Sequence, residues 1–161
     1  MTYNKAMNKE WQPKLFWSLA MSVIVVFILV VAFGGLKRVA IPEIKIEKKV
    51  FLGQCEFKVT LAQTTQEQAR GLMDIKNLAS DQALVFPFDK SDIKTFWMKN
   101  MLIPIDLIWL NESKVIGWEE NMLPDNGERI YQSPSPANLV VEAAAGAVKR
   151  CKIELNIGIR F

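Results

Sequence analysis

The stretch Phe51-Leu-Gly-Gln-Cys-Glu-Phe-Lys-Val-Thr-Leu61 puts apolar side chains at Phe51, Cys55, Phe57, Val59 and Leu61 and polar ones at Gln54, Glu56, Lys58 and Thr60. Successive side chains of a strand point to opposite faces, so this alternation predicts a strand half buried on a core. The C-terminal run repeats the pattern, with Cys151, Ile153, Leu155, Ile157, Ile159 and Phe161 on one face. Between these ends, 83–88, 95–98, 105–110, 114–119 and 139–143 are short runs rich in β-branched and aromatic residues, hence further strands. Asn111-Glu-Ser113 has the length of a hairpin loop. One helix is signalled by the capping box Thr64-x-x-Glu67, by the helix formers from Gln66 to Arg70, and by Gly71 where a left-handed C-terminal residue is wanted. A second helical turn is expected over 144–150. The expectation for 51–161 is a soluble, β-rich α+β domain, its predominantly antiparallel sheet curling towards a small barrel with one or two short helices.

Upstream the character changes. Residues 15–36 contain 18 apolar residues and no charge. As a helix this run spans roughly 33 Å, enough for a bilayer core of roughly 30 Å. Trp11, Phe16 and Trp17 suit an interfacial belt, and Lys14 and Lys37-Arg38 suit its ends. The reading is a short polar segment over 1–14, a single transmembrane helix over 15–36 and a stalk over 37–50. A cleaved signal peptide, with Ala32-Phe33-Gly34 as its processing site and a secreted product, is the alternative. The apolar core is longer than the usual roughly 7 to 15 residues of a signal peptide, which favours an uncleaved anchor. Lysines flank both ends, so charge alone does not orient it.

Composition narrows the chemistry. Of the 161 residues, 50% are hydrophobic and none is His, which removes His-based acid/base catalysis, His-assisted nucleophiles and His metal sites. Residues 37–161 carry 17 Lys and Arg against 16 Asp and Glu, a net of 17 − 16 = +1, so nothing suggests a nucleic-acid partner. Ser91-Asp-Ile-Lys94 matches Ser-x-x-Lys, yet its partner motifs are missing. No Gly-rich loop precedes a helix to cradle phosphate. No metal, cofactor or catalytic residue is therefore expected. Cys55 and Cys151 fall on apolar strand faces, as buried free thiols or, in an exported domain whose terminal strands are neighbours, as a disulfide.

Polar residues embedded in apolar strands are the strongest site candidates, because an unpartnered buried polar group costs about 1 to 3 kcal/mol. Asp106 lies between Ile105 and Leu107, and Glu142 between Val141 and Ala143. Both could instead face outward or pair with Arg70 or Lys99. As a site, the two carboxylates would converge with Arg70, Lys99 and Asn100 on one pocket mouth, with Trp97 as a stacking wall. Such a set suits a small polar ligand, sugar or peptide-like.

Arg70-Gly-Leu-Met73, Phe96-Trp-Met-Lys-Asn100 running through Leu102-Ile-Pro-Ile-Asp-Leu-Ile108, Tyr131-x-Ser-Pro134 and Val141-Glu-x-x-x-Gly146 occur in the order and spacing of the prokaryotic domain of unknown function 192. Over roughly 54–160 the chain resembles that family. The resemblance implies a small, mostly β, exported or membrane-anchored domain, and it implies no activity. The resulting expectation is a non-enzymatic extracytoplasmic domain, tethered through 15–36, that binds a small polar ligand or an envelope protein. Carboxylate-dependent hydrolysis of envelope glycans, with Asp106 and Glu142 as the acid pair, and a structural or assembly role are the alternatives.

Overall fold

The computed structural model describes residues 48–161. The predicted segments 1–14 and 15–36, and the stalk up to residue 47, lie outside the described residues. Among those described, no helix is long and apolar enough to cross a membrane. The elements are β1 (Lys48–Leu52), β2 (Cys55–Leu61), α1 (Thr65–Arg70), β3 (Gln82–Asp92), β4 (Thr95–Trp97), β5 (Ile105–Asn111), β6 (Lys114–Met122), β7 (Ile130–Gln132), β8 (Ala137–Ala144) and α2 (Ala147–Cys151). Six strands form a mixed sheet in the order β1-β2-β3-β8-β5-β6, and β4 pairs with β7 in a separate ribbon. Within the large sheet only β2 and β3 are parallel, joined by a crossover that carries α1.

Both faces of the central strands are buried. Val85, Ile108, Leu110, Val141 and Ala143 belong to one core cluster, with Val50, Leu52, Val148 and Ile153 from β1, α2 and the C-terminal tail. Leu84, Phe86, Leu107, Trp109 and Val140 belong to a second, with Leu72, Ile75, Met98 and Met101 from the connections. Residues 105–110 are accordingly all buried, although in an antiparallel setting one wet face would be common. Alternation survives at β2, where Phe57 and Val59 are buried between exposed Glu56 and half-buried Lys58 and Thr60.

The sheet does not close into the predicted barrel. Its edges approach closely enough for one tail to touch both, Lys114 of β6 bridging Gly158 and Phe51 of β1 bridging Arg160. Two residues of extended chain cover about 7 Å, so the curl is real. No ladder joins β1 to β6, however, and the edges stay separate. The tail itself is another correction, since Cys151 ends α2 and the regular strand expected from there to Phe161 is absent. Ile153 and Ile159 are buried as the alternation implied, whereas Leu155 and Phe161 are exposed.

The predicted first strand is a hairpin. Gly53, at φ +60°, opens a two-residue turn between Leu52 and Cys55, and such a turn with Gly first fits the twist of a β-ribbon. Gln54 N–H donates to the Cys151 carbonyl at 2.7 Å, and a Cβ on Gly53 would lie 2.1 Å from that same oxygen. The hairpin thus sits on the end of α2, where Cys55 and Cys151 form a disulfide across 96 positions with Cα atoms 5.2 Å apart. The cysteines meet through the helix rather than through neighbouring terminal strands.

Asp106 is fully buried, and both of its oxygens are used. Oδ1 accepts from Asn121 N–H at 2.8 Å and Oδ2 from Val148 N–H at 2.9 Å. Asn121 lies in a bulge of β6, where the register slips between the Ile105–Met122 and Leu107–Glu119 pairs, and its φ of +52° is one that Asn tolerates. Asp106 therefore ties that bulge to the first turn of α2. Asp106→Ala would leave both N–H groups without a partner, and we expect it to lower unfolding free energy by about 2 to 4 kcal/mol in urea titrations. A loss below about 1 kcal/mol would remove this structural role.

Candidate functional site

Strand pairing separates the two embedded acids. Across β5 and β8, Asp106 stands opposite Ala143 and Leu107 opposite Glu142. Cross-strand partners share a face, and adjacent residues occupy opposite faces, so Asp106 and Glu142 point away from each other through the sheet. Glu142 lies on the face of Leu84 and Leu107. There it borders a cavity of about 370 Å³ between the sheet, the end of α1 and the β4 strand.

The capping box that starts α1 is present, Thr64 Oγ1 accepting from Glu67 N–H while Glu67 Oε2 accepts from Thr64 N–H. The six-residue helix is anchored to the sheet by Gln68, whose amide donates to the Ala62 and Pro87 carbonyls. It ends at Gly71 with φ +52°, and the chain turns down so that Leu72 is buried. A Cβ at Gly71 would lie 3.3 Å from one carboxyl oxygen of Glu142 and 3.5 Å from the other. Glycine there meets both the dihedral and the close approach to the acid.

Glu142 is 5% exposed, and its Oε2 has no hydrogen-bond partner. Burial raises its carboxyl to about 8, against the opposing pull of the Leu72 backbone N–H. At neutral pH the group is thus mostly a neutral acid, a donor as well as an acceptor. The walls are apolar, with Leu72 and Phe86 deepest and Met73, Phe88 and Phe96 nearer solvent. Phe96 packs edge-on against Phe86 and Trp109, at 5.1 and 5.5 Å between centroids, which holds β4 over the sheet.

Arg70, Trp97, Lys99 and Glu142 all line this cavity, so four of the predicted site residues come together. Arg70 and Lys99 are exposed at its rim, and Trp97 is 49% exposed beside them. Among the described residues, no salt bridge involves either cation. Lys99 is backed by the loop at Gly127, which has φ +83° and approaches so closely that a Cβ there would lie 3.0 Å from Lys99 Cβ. Asn100 and Asp106 are not in the lining. Asn100 adopts φ +56° in the turn after β4, and its carbonyl accepts from Asp74 N–H at 3.0 Å, fastening the α1 exit to that turn. The aromatic walls Phe86, Phe88 and Phe96 escaped the sequence reading, because a Phe in a strand carries no signal separating a cavity wall from core.

The site is an apolar cleft with one buried acid inside, of which one oxygen has no hydrogen-bond partner, and two cations at its rim outside any salt bridge among the described residues. Among the described residues, no group of three or more His, Cys, Asp or Glu is arranged to hold a metal ion. The family model for DUF192, described as "Uncharacterized ACR", matches residues 48–161. The UPF0127 protein TK1120 of Thermococcus kodakarensis is 29% identical over 97 residues, covering 60% of this chain and 60% of that protein. The aligned part thus spans less than two thirds of that relative's length. A crystal structure from Sinorhizobium meliloti, titled a "putative transcription regulator", superposes with a TM-score of 0.66 at 25% identity over 74% of this chain and 97% of that one. A protein of unknown function from Novosphingobium aromaticivorans superposes with a TM-score of 0.66 at 26% identity, covering 80% of this chain and all of that one. With the family model spanning well over half its length, the chain belongs to the DUF192 family.

Proposed function

We propose that residues 48–161 form a non-catalytic binding domain that takes a small ligand in the Glu142 cavity and works outside the cytoplasm, tethered by 15–36. The observation that carries the binding reading is Glu142, a buried acid bordering a cleft of ligand size, whose Oε2 has no hydrogen-bond partner in the protein. A carboxyl oxygen left without a partner in the protein is one that a ligand can satisfy. Hydrolysis by a carboxylate pair needs both acids across one cleft, and here they occupy opposite faces of the sheet. A purely structural role gives Glu142 no purpose. Regulation of transcription is not favoured, because a net charge of +1 over 37–161 gives little overall attraction for a polyanion. Export is supported by the Cys55–Cys151 disulfide, since such bonds persist in oxidising compartments.

Binding is tested with anilinonaphthalene sulfonate, an aromatic anion whose fluorescence rises in apolar surroundings. Saturable one-site binding is expected, weakened at least tenfold by Ala69→Trp, which places a bulky ring at an exposed helical position of the cavity wall. Equal binding by both proteins would place the dye elsewhere and remove the proposal. For location, the intact mass from native membranes should be full length, with both cysteines refractory to alkylation in denaturant until reduced; alkylation without reduction would withdraw the argument for export.

Glu142 also sets a pH dependence. Its folded value of about 8 lies above the ordinary 4.5, so the native state holds a proton that the unfolded chain has released. Stability from this group is complete below about pH 4.5 and lost as pH rises towards 8, with a slope approaching 1.4 kcal/mol per pH unit. The charged groups sharing the cavity, Arg70 and Lys99, are exposed and screened. Urea titrations at pH 5, 6.5 and 8 should show this decline in the native sequence and not in Glu142→Gln.

A further inference from the structure

The two ends of the cavity differ in a way that specifies its ligand. The inner end presents Glu142, 5% exposed, whose Oε2 has no hydrogen-bond partner in the protein. The outer end presents Arg70 and Lys99, both exposed and outside any salt bridge among the described residues. Between them the contacts are Leu72, Phe86, Phe88 and Phe96. Resting on the binding reading above, we propose that the ligand is an amphiphilic carboxylate: an anionic group at the Arg70–Lys99 rim, an apolar body along the phenylalanines, and an uncharged oxygen acceptor at the inner end.

Each part follows from a cost. An anion can sit at the rim, where it stays partly hydrated and gains charge-assisted hydrogen bonds from two cations. The same anion deep in the cleft would lose its water among apolar walls against an acid that cannot compensate it. A cation entering the cleft would pass two positive side chains before reaching Glu142. A purely apolar inner end would leave the Glu142 hydroxyl as unsatisfied as it is without ligand, whereas a hydroxyl or carbonyl oxygen accepts its proton. A hydroxy- or oxo-alkanoate has all three features on one chain. A sugar lacks the anion, and its several hydroxyls would meet a single polar group inside.

Displacement of bound anilinonaphthalene sulfonate from the full-length protein separates these possibilities. Octanoate, ω-hydroxyoctanoate and octylammonium serve as probes. ω-Hydroxyoctanoate should displace the dye at least tenfold more effectively than octanoate, and octylammonium should not displace it over the same range. The hydroxyl preference should vanish in Glu142→Leu and survive in Glu142→Gln, which keeps a hydrogen-bonding amide. Arg70→Ala and Lys99→Ala should each weaken both carboxylates without creating a preference between them. Equal displacement by octanoate and ω-hydroxyoctanoate would overturn the inner acceptor, and competition by octylammonium would overturn the anionic rim. If the dye binds in the cleft and none of the three displaces it, the ligand class is wrong while the binding reading stands. If the dye itself ignores Ala69→Trp, both fall.

Discussion

Strand β8 runs between β3 and β5 and is covered on both faces, and the rest of the molecule is arranged around that constraint. A central strand of this kind has no wet side on which to place a charge. Acids on β8 and β5 must therefore find backbone donors, be protonated, or face a ligand. Asp106 takes the first course, accepting N–H groups from a β6 bulge and from α2. Glu142 takes the second, and its free oxygen leaves room for the third.

One face of the sheet is specialised for stability. There the β1–β2 hairpin, α2 and the C-terminal tail are joined by the disulfide and by backbone hydrogen bonds from Gln54 to Cys151 and between Phe51 and Arg160. A bond closing a 96-position separation removes much conformational freedom from the unfolded chain. The opposite face is covered by irregular connections after α1 and after β4, and there the cleft lies. A face closed by a disulfide opposite one with a partly exposed cleft is the arrangement expected where a site carries an unsatisfied group at some cost to stability.

Much of the domain is legible in the sequence because it rests on local rules. The capping box at Thr64 and Glu67, the β5–β6 hairpin and the short aromatic runs all mark their elements within a few residues. Failures occur where a local pattern has two solutions. Cys151 to Phe161 alternates like a strand, but its first residue completes α2 and the remainder forms no regular strand, meeting the sheet edges through scattered backbone hydrogen bonds to Val115, Ser113 and Phe51. In Phe51 to Leu61 the alternation conceals a reversal at Gly53: a two-residue turn inverts the phase, so that Val50 and Leu52 share the buried face of Phe57 and Val59, while Phe51, expected on that face, is exposed opposite Glu56. The ribbon strand β7 shows no periodicity and was invisible.

The site divides in the same manner. The sequence by itself determined that two acids interrupt apolar strands, that Arg70 closes a short helix and Trp97 lies in a short aromatic strand, and that no histidine chemistry is available, because residue type and spacing are local properties. Only the tertiary structure decided that Glu142 joins Arg70, Trp97 and Lys99 at a cleft while Asp106 serves the opposite face. The reason is register: with Leu107 opposite Glu142 and Asp106 opposite Ala143, one step along the pleat sends a side chain through the sheet. Which strand pairs with which, and in what register, is settled by contacts between distant parts of the chain, and no window of neighbouring residues contains them.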